Sequence, residues 1–109
     1  HNPLGAEALN KYLNTLDCKK HLILGMMSNK DHKEYIGRFN GISSITTIDI
    51  PNQPNAIKGE ELKKKLNIYP NVNYKNSIEE ALKSLILEKD DLIVITGSLY
   101  LAGELLNKN

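Results

Sequence analysis

Three short segments of the chain carry residue types that can bind an anion at the start of a helix. They are 1–6 (His-Asn-Pro-Leu-Gly-Ala), 25–31 (Gly-Met-Met-Ser-Asn-Lys-Asp) and 96–104 (Thr-Gly-Ser-Leu-Tyr-Leu-Ala-Gly-Glu). The first N–H groups of a helix have no partner within it, and the helix dipole favours negative charge there. Each segment is therefore a place where a carboxylate or a phosphate could be held.

In the first segment, His1 stands beside the predicted start of a helix. Its imidazole could hydrogen-bond a carboxylate or a phosphate group. Asn2 is a residue type that caps helices, and Pro3 suits the first helical position. For a sequence taken alone, a terminal histidine without a specific role is the more common alternative.

The second segment places Gly25 after an apolar run, where glycine allows the backbone to turn. Ser28 and Asp31 have the spacing of a capping box, with Asp in place of Glu. Taken alone, this segment favours a capped helix start over a ligand site. Lys30 could neutralise phosphate charge, although surface lysines usually have no such role.

In the third segment, Ser98 lies where a strand pattern gives way to a helical one. Its hydroxyl and the nearby amides could hold a carboxylate, and the alternative is a simple N-cap serine. A serine nucleophile elbow needs G-x-S-x-G, which residues 97–100 do not supply. The sequence also lacks a phosphate loop, a dinucleotide fingerprint and zinc-ligand spacing. It therefore predicts no catalytic or metal-binding residue and no independent site for MgATP.

Composition restricts the class of protein further. A chain of 109 residues is one domain by size, and 40% hydrophobic with 25% charged residues is ordinary globular composition. A net charge of +1 argues against nucleic acid or an anionic membrane as a partner. The single cysteine, Cys18, fits a reducing compartment, and no apolar run approaches the ~18 residues of a membrane span. We expect a cytoplasmic protein.

The elements that would position these segments alternate along the chain. Apolar, β-branched runs predict strands at 21–24, 44–50, 72–74 and 92–96. Apolar residues at helical spacing predict helices over 9–16, 32–39, 62–66, 78–86 and 101–106. Ser77 and Glu80 form a capping box before the fourth of these helices. The last strand is continuously apolar, which predicts burial on both of its faces.

Alternating helices and strands predict an α/β fold, with a mostly parallel, Rossmann-like sheet and helices on both faces. A helix comes first, so we expect the chain to begin at the tip of a truncated first strand. The carboxyl ends of parallel strands share one edge, so all three segments should lie there. The loop at 51–55 follows a strand on the same edge and is expected to be an ordinary surface loop, and Lys63–Lys65 a solvated helix face.

Together, the three segments resemble the C-terminal domain of folylpolyglutamate synthase, a Mur ligase that in many bacteria is also dihydrofolate synthase. That family carries D-G-A-H-N-P at its first junction, of which residues 1–3 retain H-N-P. It then has L-G-M or F-G-M and a loop ending K-D, matched by 24–26 and 30–31. Its last strand ends T-G-S-L-Y-L, then a small residue, Gly and Glu, matched by 96–104. The resemblance covers the whole chain in the expected order.

The resemblance implies that residues 1–109 are one glutamate ligase domain, without the N-terminal ATP-binding domain of the same polypeptide. Such enzymes join L-glutamate to folate, and some also to dihydropteroate, through an acyl phosphate. ATP and Mg²⁺ would be held mainly by the N-terminal domain, so the chain alone would be inactive. His1 would face the incoming glutamate, Ser98 would hold one of its carboxylates, and Asn2 would lie near the nucleotide.

Two alternatives stand beside this interpretation. One is an amino-acid ligase domain acting on cell-wall precursors, since such Mur ligases share the fold and a similar first motif. The other is a Rossmann-like binding module with no catalytic role.

Overall fold

The computed structural model describes residues 3–97, which form four helices alternating with four strands. In chain order these are α1 (Pro3–Leu13), β1 (Lys20–Leu24), α2 (His32–Gly37), β2 (Ser44–Thr47), α3 (Gly59–Lys65), β3 (Val72–Tyr74), α4 (Ile78–Ser84) and β4 (Leu92–Thr96). The predicted alternation is confirmed over this range. The helix predicted at 101–106 lies outside the described residues, and the truncated first strand stays a prediction.

The four strands form one sheet in the order β3-β2-β1-β4, and every neighbouring pair is parallel. The register pairs His21 with Ser44 and with Ile93, which makes β1 the central strand. Parallel neighbours require a crossover connection, and the intervening helices provide it. The predicted parallel α/β fold is therefore confirmed.

The core has two parts, one on each face of the sheet. On one face, Leu22 and Leu24 of β1 pack in a cluster with buried residues of α1, α2 and α3. On the other face, Ile23 packs with Ile78 and Ala81 of α4. Alternate residues of β1 thus enter opposite layers, as the two-residue period of a strand dictates. Helices cover both faces, as the sequence predicts.

Burial along the strands differs from the prediction for β4. All five residues of β1 are buried, whereas all five of β4 are only half-buried. Within residues 3–97, β4 pairs only with β1 and forms an edge of the sheet. β1 includes Lys20 and His21 and is fully buried, whereas the more apolar β4 is not, so position in the sheet rather than composition decides the difference.

Several element ends also differ from the sequence pattern. β2 ends at Thr47, although the apolar run continues to Ile50. α4 ends at Ser84, because Leu85 adopts an extended conformation with φ −81° and ψ 131°. Ile86, which completes the helical apolar pattern, is 94% exposed.

The starts of α2 and α4 follow the capping rules, although one predicted cap needs correction. Ser77 is the N-cap of α4 and its hydroxyl accepts from the N–H of Glu80 at 3.1 Å, as predicted. The N-cap of α2 is Asp31, whose carboxylate accepts from the N–H of Glu34. The prediction that Ser28 caps this helix is wrong, because the helix begins three residues later.

No helix within residues 3–97 is long and apolar enough to cross a membrane.

Candidate functional site at the carboxyl edge of the sheet

The second and third predicted segments meet at the carboxyl edge, where β1 and β4 end side by side. The register pairs Leu24 with Thr96, and the N–H of Gly25 donates to the carbonyl of Thr96 at 3.3 Å. Gly97 has φ +122°, a conformation that residues with a side chain rarely adopt. A Cβ atom there would overlap the carbonyl oxygen of Gly25. Gly97 therefore lets the two loops approach more closely than a side chain at that position would permit.

The start of α1 belongs to the same edge. α1 ends at Leu13, and a short turn leads directly into the amino end of β1 at Lys20. α1 also lies beside α2 and runs in the same direction. Glu7 contacts Arg38 at 3.0 Å, and three residues later the Asn10 side chain accepts from the N–H of Asn40. Both helices run from the carboxyl edge toward the amino edge. Pro3 therefore begins α1 on the side of the sheet where Gly25 and Gly97 lie.

The predicted site residues flank this edge in the sequence. His1 and Asn2 immediately precede α1, and Ser98 immediately follows Gly97. All three lie outside the described residues, so their roles stay predictions. The described backbone on either side of them ends at a common edge, which is what a shared site requires.

The loop between β1 and α2 is held in place by the loop that follows β2. Both the N–H and the hydroxyl of Ser28 donate to the carbonyl of Asn55, each at 2.8 Å. The N–H of Ile57 donates to the carbonyl of Met26 at 3.0 Å, and Met27 pairs with Ala56 in an isolated bridge. The loop at 51–55 is largely exposed, as predicted, and its last residue also anchors the neighbouring loop.

Lys30 and Asp31, the two residues of this loop that match the family pattern, have different environments. Asp31 is the helix cap, which gives it a structural role. Lys30 is exposed, and no ion pair engages it in the part of the chain that the structure describes. Its ammonium group is therefore available to an anion at this edge, but no described residue directs it there.

Two buried side chains, Tyr35 and His32, hold the segments at this edge in position. The sequence pattern did not indicate either role. The Tyr35 hydroxyl of α2 lies 2.6 Å from the hydroxyl of Thr96, which ties the helix to the end of β4. Burial raises the pKa of Tyr35. His32 is buried, and its Nε2–H donates to the carbonyl of Met27 at 2.9 Å. This contact gives His32 a structural role.

A polar cavity of about 640 Å³ opens farther along the edge, beyond the end of β2. Asp49 accepts from the N–H of Gly59 at 2.8 Å and from the Tyr74 hydroxyl at 2.5 Å. The hydrogen bond to Asp49 is the main cause that raises the pKa of Tyr74 to about 12. Lys58, Lys64, Glu60 and Glu61 also line the cavity. Because both signs of charge are present, the cavity suits a polar ligand rather than a simple anion.

Gly59 makes this arrangement possible at the start of α3. A Cβ atom at this position would meet the ring of Tyr74 at 2.5 Å and the backbone of Ile48 at 2.9 Å. The glycine at a predicted helix start was the only sequence signal for this close approach.

A second polar cluster lies at the opposite, amino edge of the sheet. His21 Nε2 donates to Asp91 at 3.0 Å, which leaves Nδ1 of the neutral ring to accept from the Ser44 hydroxyl at 2.7 Å. The N–H of Glu88 also donates to Asp91, and this bond, followed by that from His21, lowers the pKa of Asp91. The cluster links β1 to β2 and to the turn before β4, which gives His21 a structural role.

A metal ion has no evident ligand set in residues 3–97, where no group of three or more His, Cys, Asp or Glu side chains is suitably placed.

These features first define a class of protein, an open parallel α/β domain whose loops converge at the carboxyl edge of the sheet, where such folds bind ligands. Residues 1–99 match the model of the family described as "Mur ligase, glutamate ligase domain". The chain belongs to that family, which confirms the resemblance seen in the three motifs.

Solved structures show the same fold. The chain is similar to Mycobacterium tuberculosis folylpolyglutamate synthase complexed with ADP and AMPPCP, with a TM-score of 0.86, 22% identity, and coverage of 99% of this chain and 28% of that one. It is also similar to the bifunctional folylpolyglutamate synthase/dihydrofolate synthase of Yersinia pestis complexed with AMPPNP and Mn ion (TM-score 0.81, 18% identity, 99% and 26% coverage).

A third similar structure is E. coli FolC in complex with DHPP and ADP (TM-score 0.80, 18% identity, 99% and 26% coverage). The chain thus spans about a quarter of the length of these three proteins. Comparison with curated protein sequences gives no match.

Proposed function

We propose that this chain is the C-terminal, glutamate-binding domain of an ATP-dependent ligase that joins L-glutamate to folate and, in a bifunctional enzyme, also to dihydropteroate. The observation that carries the proposal is the meeting of Gly25, Gly97 and the start of α1 at one edge of the sheet. Family membership and the folylpolyglutamate synthase structures of the same fold support it.

The proposed reaction joins a carboxylate to an amine in two steps. The acceptor carboxylate takes the γ-phosphoryl group of ATP, giving an acyl phosphate and ADP. The amine of glutamate then attacks the acyl carbon through a tetrahedral intermediate, the amide bond forms and inorganic phosphate leaves. The amine must be unprotonated when it attacks, so it loses a proton to the surroundings before the bond forms.

The nucleotide and the metal ion are assigned mainly to an N-terminal ATP-binding domain of the same polypeptide. The sequence has no phosphate loop, and residues 3–97 present no cluster of metal ligands. The similar structures contain ADP, AMPPCP, AMPPNP or Mn ion and are about four times longer than this chain. Mg²⁺, held by that domain, would offset phosphate charge.

The role of this chain would be to hold glutamate and to close over the nucleotide. Ser98 would bind a glutamate carboxylate with its hydroxyl and neighbouring amides, and His1 would face the amino acid from the start of α1. Asn2 would lie near the nucleotide. The edge defined by Gly25 and Gly97 supports this arrangement, since it brings the sequences flanking all three residues together. Closure of the domains would exclude water, which otherwise hydrolyses the acyl phosphate.

Activity measurements on two proteins test the proposal. One is the 109-residue chain and the other is the longer polypeptide encoded by the same reading frame. We expect the longer protein to release ADP only when Mg²⁺, glutamate and a folate or pteroate acceptor are all present, and the chain alone to release none. A longer protein that ligates an amino acid only to cell-wall precursors, or no longer protein at all, would refute the assignment.

A pair of serine variants in the longer polypeptide tests the site. Ser98→Ala should raise the KM for glutamate about tenfold, because one hydrogen bond to a charged group contributes roughly 1.5–3 kcal/mol. Ser84→Ala is the matched control, since that hydroxyl donates only to the carbonyl of Ala81 within α4. Equal KM values for the two variants would remove Ser98 from the glutamate site.

A further inference from the structure

The outer edge of β3 offers unpaired backbone groups. β3 is the end strand of the sheet formed by residues 3–97 and has β2 on one side only. The carbonyl of Asn71 and the N–H of Lys75 bond to β2. Since backbone groups of successive strand residues point in opposite directions, the N–H and C=O groups of Val72 and Tyr74 point away from β2. These are the groups to which a further strand would pair.

A groove runs along this edge, between β3 and α3. It has a volume of about 650 Å³ and extends from Tyr69 and Asn71 at the amino end of β3 to Glu60 and Tyr74 at the carboxyl end. Val72 and Tyr69 pack against the main hydrophobic cluster and provide an apolar surface. The groove therefore combines a free strand edge with apolar contact area, as sites that bind extended peptides do.

The charges of the groove favour an acidic occupant. Lys63 and Lys64 line it from α3, both are exposed, and no ion pair within residues 3–97 engages either ammonium group. Glu60 is the one acidic side chain in the lining. The lysines are expected to attract carboxylates that approach beside β3.

We propose that this groove binds an extended peptide segment of acidic composition, which adds to the sheet as a strand beside β3. Backbone pairing with Val72 and Tyr74 would hold the segment, and alternate acidic side chains would reach Lys63 and Lys64. A second copy of the chain fits less well, because two-fold pairing of β3 strands would bring like charges together. This surface shares Glu60, Lys64 and Tyr74 with the cavity beyond β2, but it includes none of the residues assigned to glutamate or the nucleotide, so it does not depend on the proposed ligase function.

Peptide binding to the full 109-residue chain tests the proposal. The probe is a short, capped peptide that alternates Thr and Glu, titrated into the isotope-labelled protein and followed by NMR. We expect saturable shifts centred on β3 and α3, together with slower hydrogen exchange at the amides of Val72 and Tyr74. A peptide that alternates Thr and Lys, and one N-methylated on its pairing edge, should each bind at least about fivefold more weakly.

A pair of lysine variants tests the charge argument. Lys64→Glu should weaken binding of the Thr/Glu peptide about fivefold, because it reverses one exposed charge in the groove. Lys65→Glu makes the same change one residue away, outside the lining, and should leave binding within about twofold of the unmodified chain. Equal loss in both variants would indicate general attraction and overturn the proposal. Shifts located away from β3, no binding, or self-association through β3 would also overturn it.

Discussion

The carbonyl oxygen of Gly25 lies where a Cβ atom at Gly97 would have to lie. This relationship joins the ends of β1 and β4 at the edge where the candidate site is located. It also requires glycine at position 97 for a steric reason, without reference to any ligand. Both glycines belong to the motifs by which the chain resembles the Mur ligase family.

Gly97→Ala should therefore destabilise the chain by about 1–3 kcal/mol, because it adds a steric overlap to a strained backbone conformation. Urea unfolding of the 109-residue chain measures the effect. Gly41→Ala is the matched control, since Gly41 also has positive φ (+65°) but no neighbouring atom within 4 Å of its would-be Cβ. It should cost about 1 kcal/mol. If Gly97→Ala were as mild as Gly41→Ala, the close approach to Gly25 would be contradicted.

Tyr35→Phe should destabilise the chain by about 1 kcal/mol, because it leaves the Thr96 hydroxyl without its partner at the end of β4. Tyr35 is only 1% exposed, so water cannot readily replace the lost hydroxyl. Tyr12→Phe is the control, because Tyr12 is 61% exposed and the same substitution should change the unfolding free energy little. A neutral Tyr35→Phe variant would show that the contact does not tie α2 to β4.

Ionisation of Tyr74 should report directly on Asp49. In the folded protein its pKa is about 12, mainly because its hydroxyl donates to the Asp49 carboxylate. Asp49→Asn should lower this pKa toward the ordinary value of 10.0, which an NMR or ultraviolet titration of the tyrosines measures. Glu61→Gln, at another carboxylate of the same cavity, should leave the Tyr74 titration unchanged.

The same shift has a consequence for stability. A tyrosine whose folded pKa is raised stabilises the protein fully below its unfolded pKa, and this contribution is lost as the pH rises through the folded value. For Tyr74 the window runs from about pH 10 to about pH 12. Alkaline unfolding of Asp49→Asn should therefore depend less on pH in that window than unfolding of the unmodified chain. An unaltered dependence would contradict the Asp49–Tyr74 hydrogen bond.

Stability in acid should depend on Asp91. Its pKa in the folded chain is below the ordinary value of 3.8, first because the Glu88 N–H donates to it and then because of its hydrogen bond with His21. A depressed carboxylate stabilises the fold above its unfolded pKa, and that contribution is lost as the pH falls through the folded pKa. Asp91→Asn should therefore flatten the acid limb of a urea-midpoint profile below about pH 4. Asp90→Asn, at the exposed neighbouring residue, should retain the slope of the unmodified chain, and a flattened limb in both variants would rule out a specific role for Asp91.

Element type and order could be predicted from sequence because they depend on local patterns. Apolar spacing marked the helices, β-branched runs marked the strands, and Ser77 marked the start of α4. The sequence did not show which of two nearby residues would cap α2. Ser28 has the spacing of a capping residue, but its hydroxyl donates to Asn55 in another loop and Asp31 caps α2 instead.

The candidate site likewise has some features that local sequence predicts and others that it does not. The glycines at the carboxyl edge could be found from the sequence, since positions 25 and 97 directly follow strand patterns. The Tyr35–Thr96 and Asp49–Tyr74 hydrogen bonds could not be found in this way, because their partners lie far apart along the chain. The first pair is separated by 61 positions and the second by 25. No local pattern relates such partners to one another.

Local sequence patterns were sufficient to identify the alternation of helices and strands, the parallel fold class and the three motifs that indicate the Mur ligase family. The three-dimensional packing set the strand order β3-β2-β1-β4, which buries all of β1, including Lys20 and His21, and leaves the more apolar β4 half-buried at an edge. It also decided that the edge of β3 lies beside the lysines of α3. The reason is physical, because burial and pairing depend on which elements become neighbours, whereas the local pattern records only which faces avoid water.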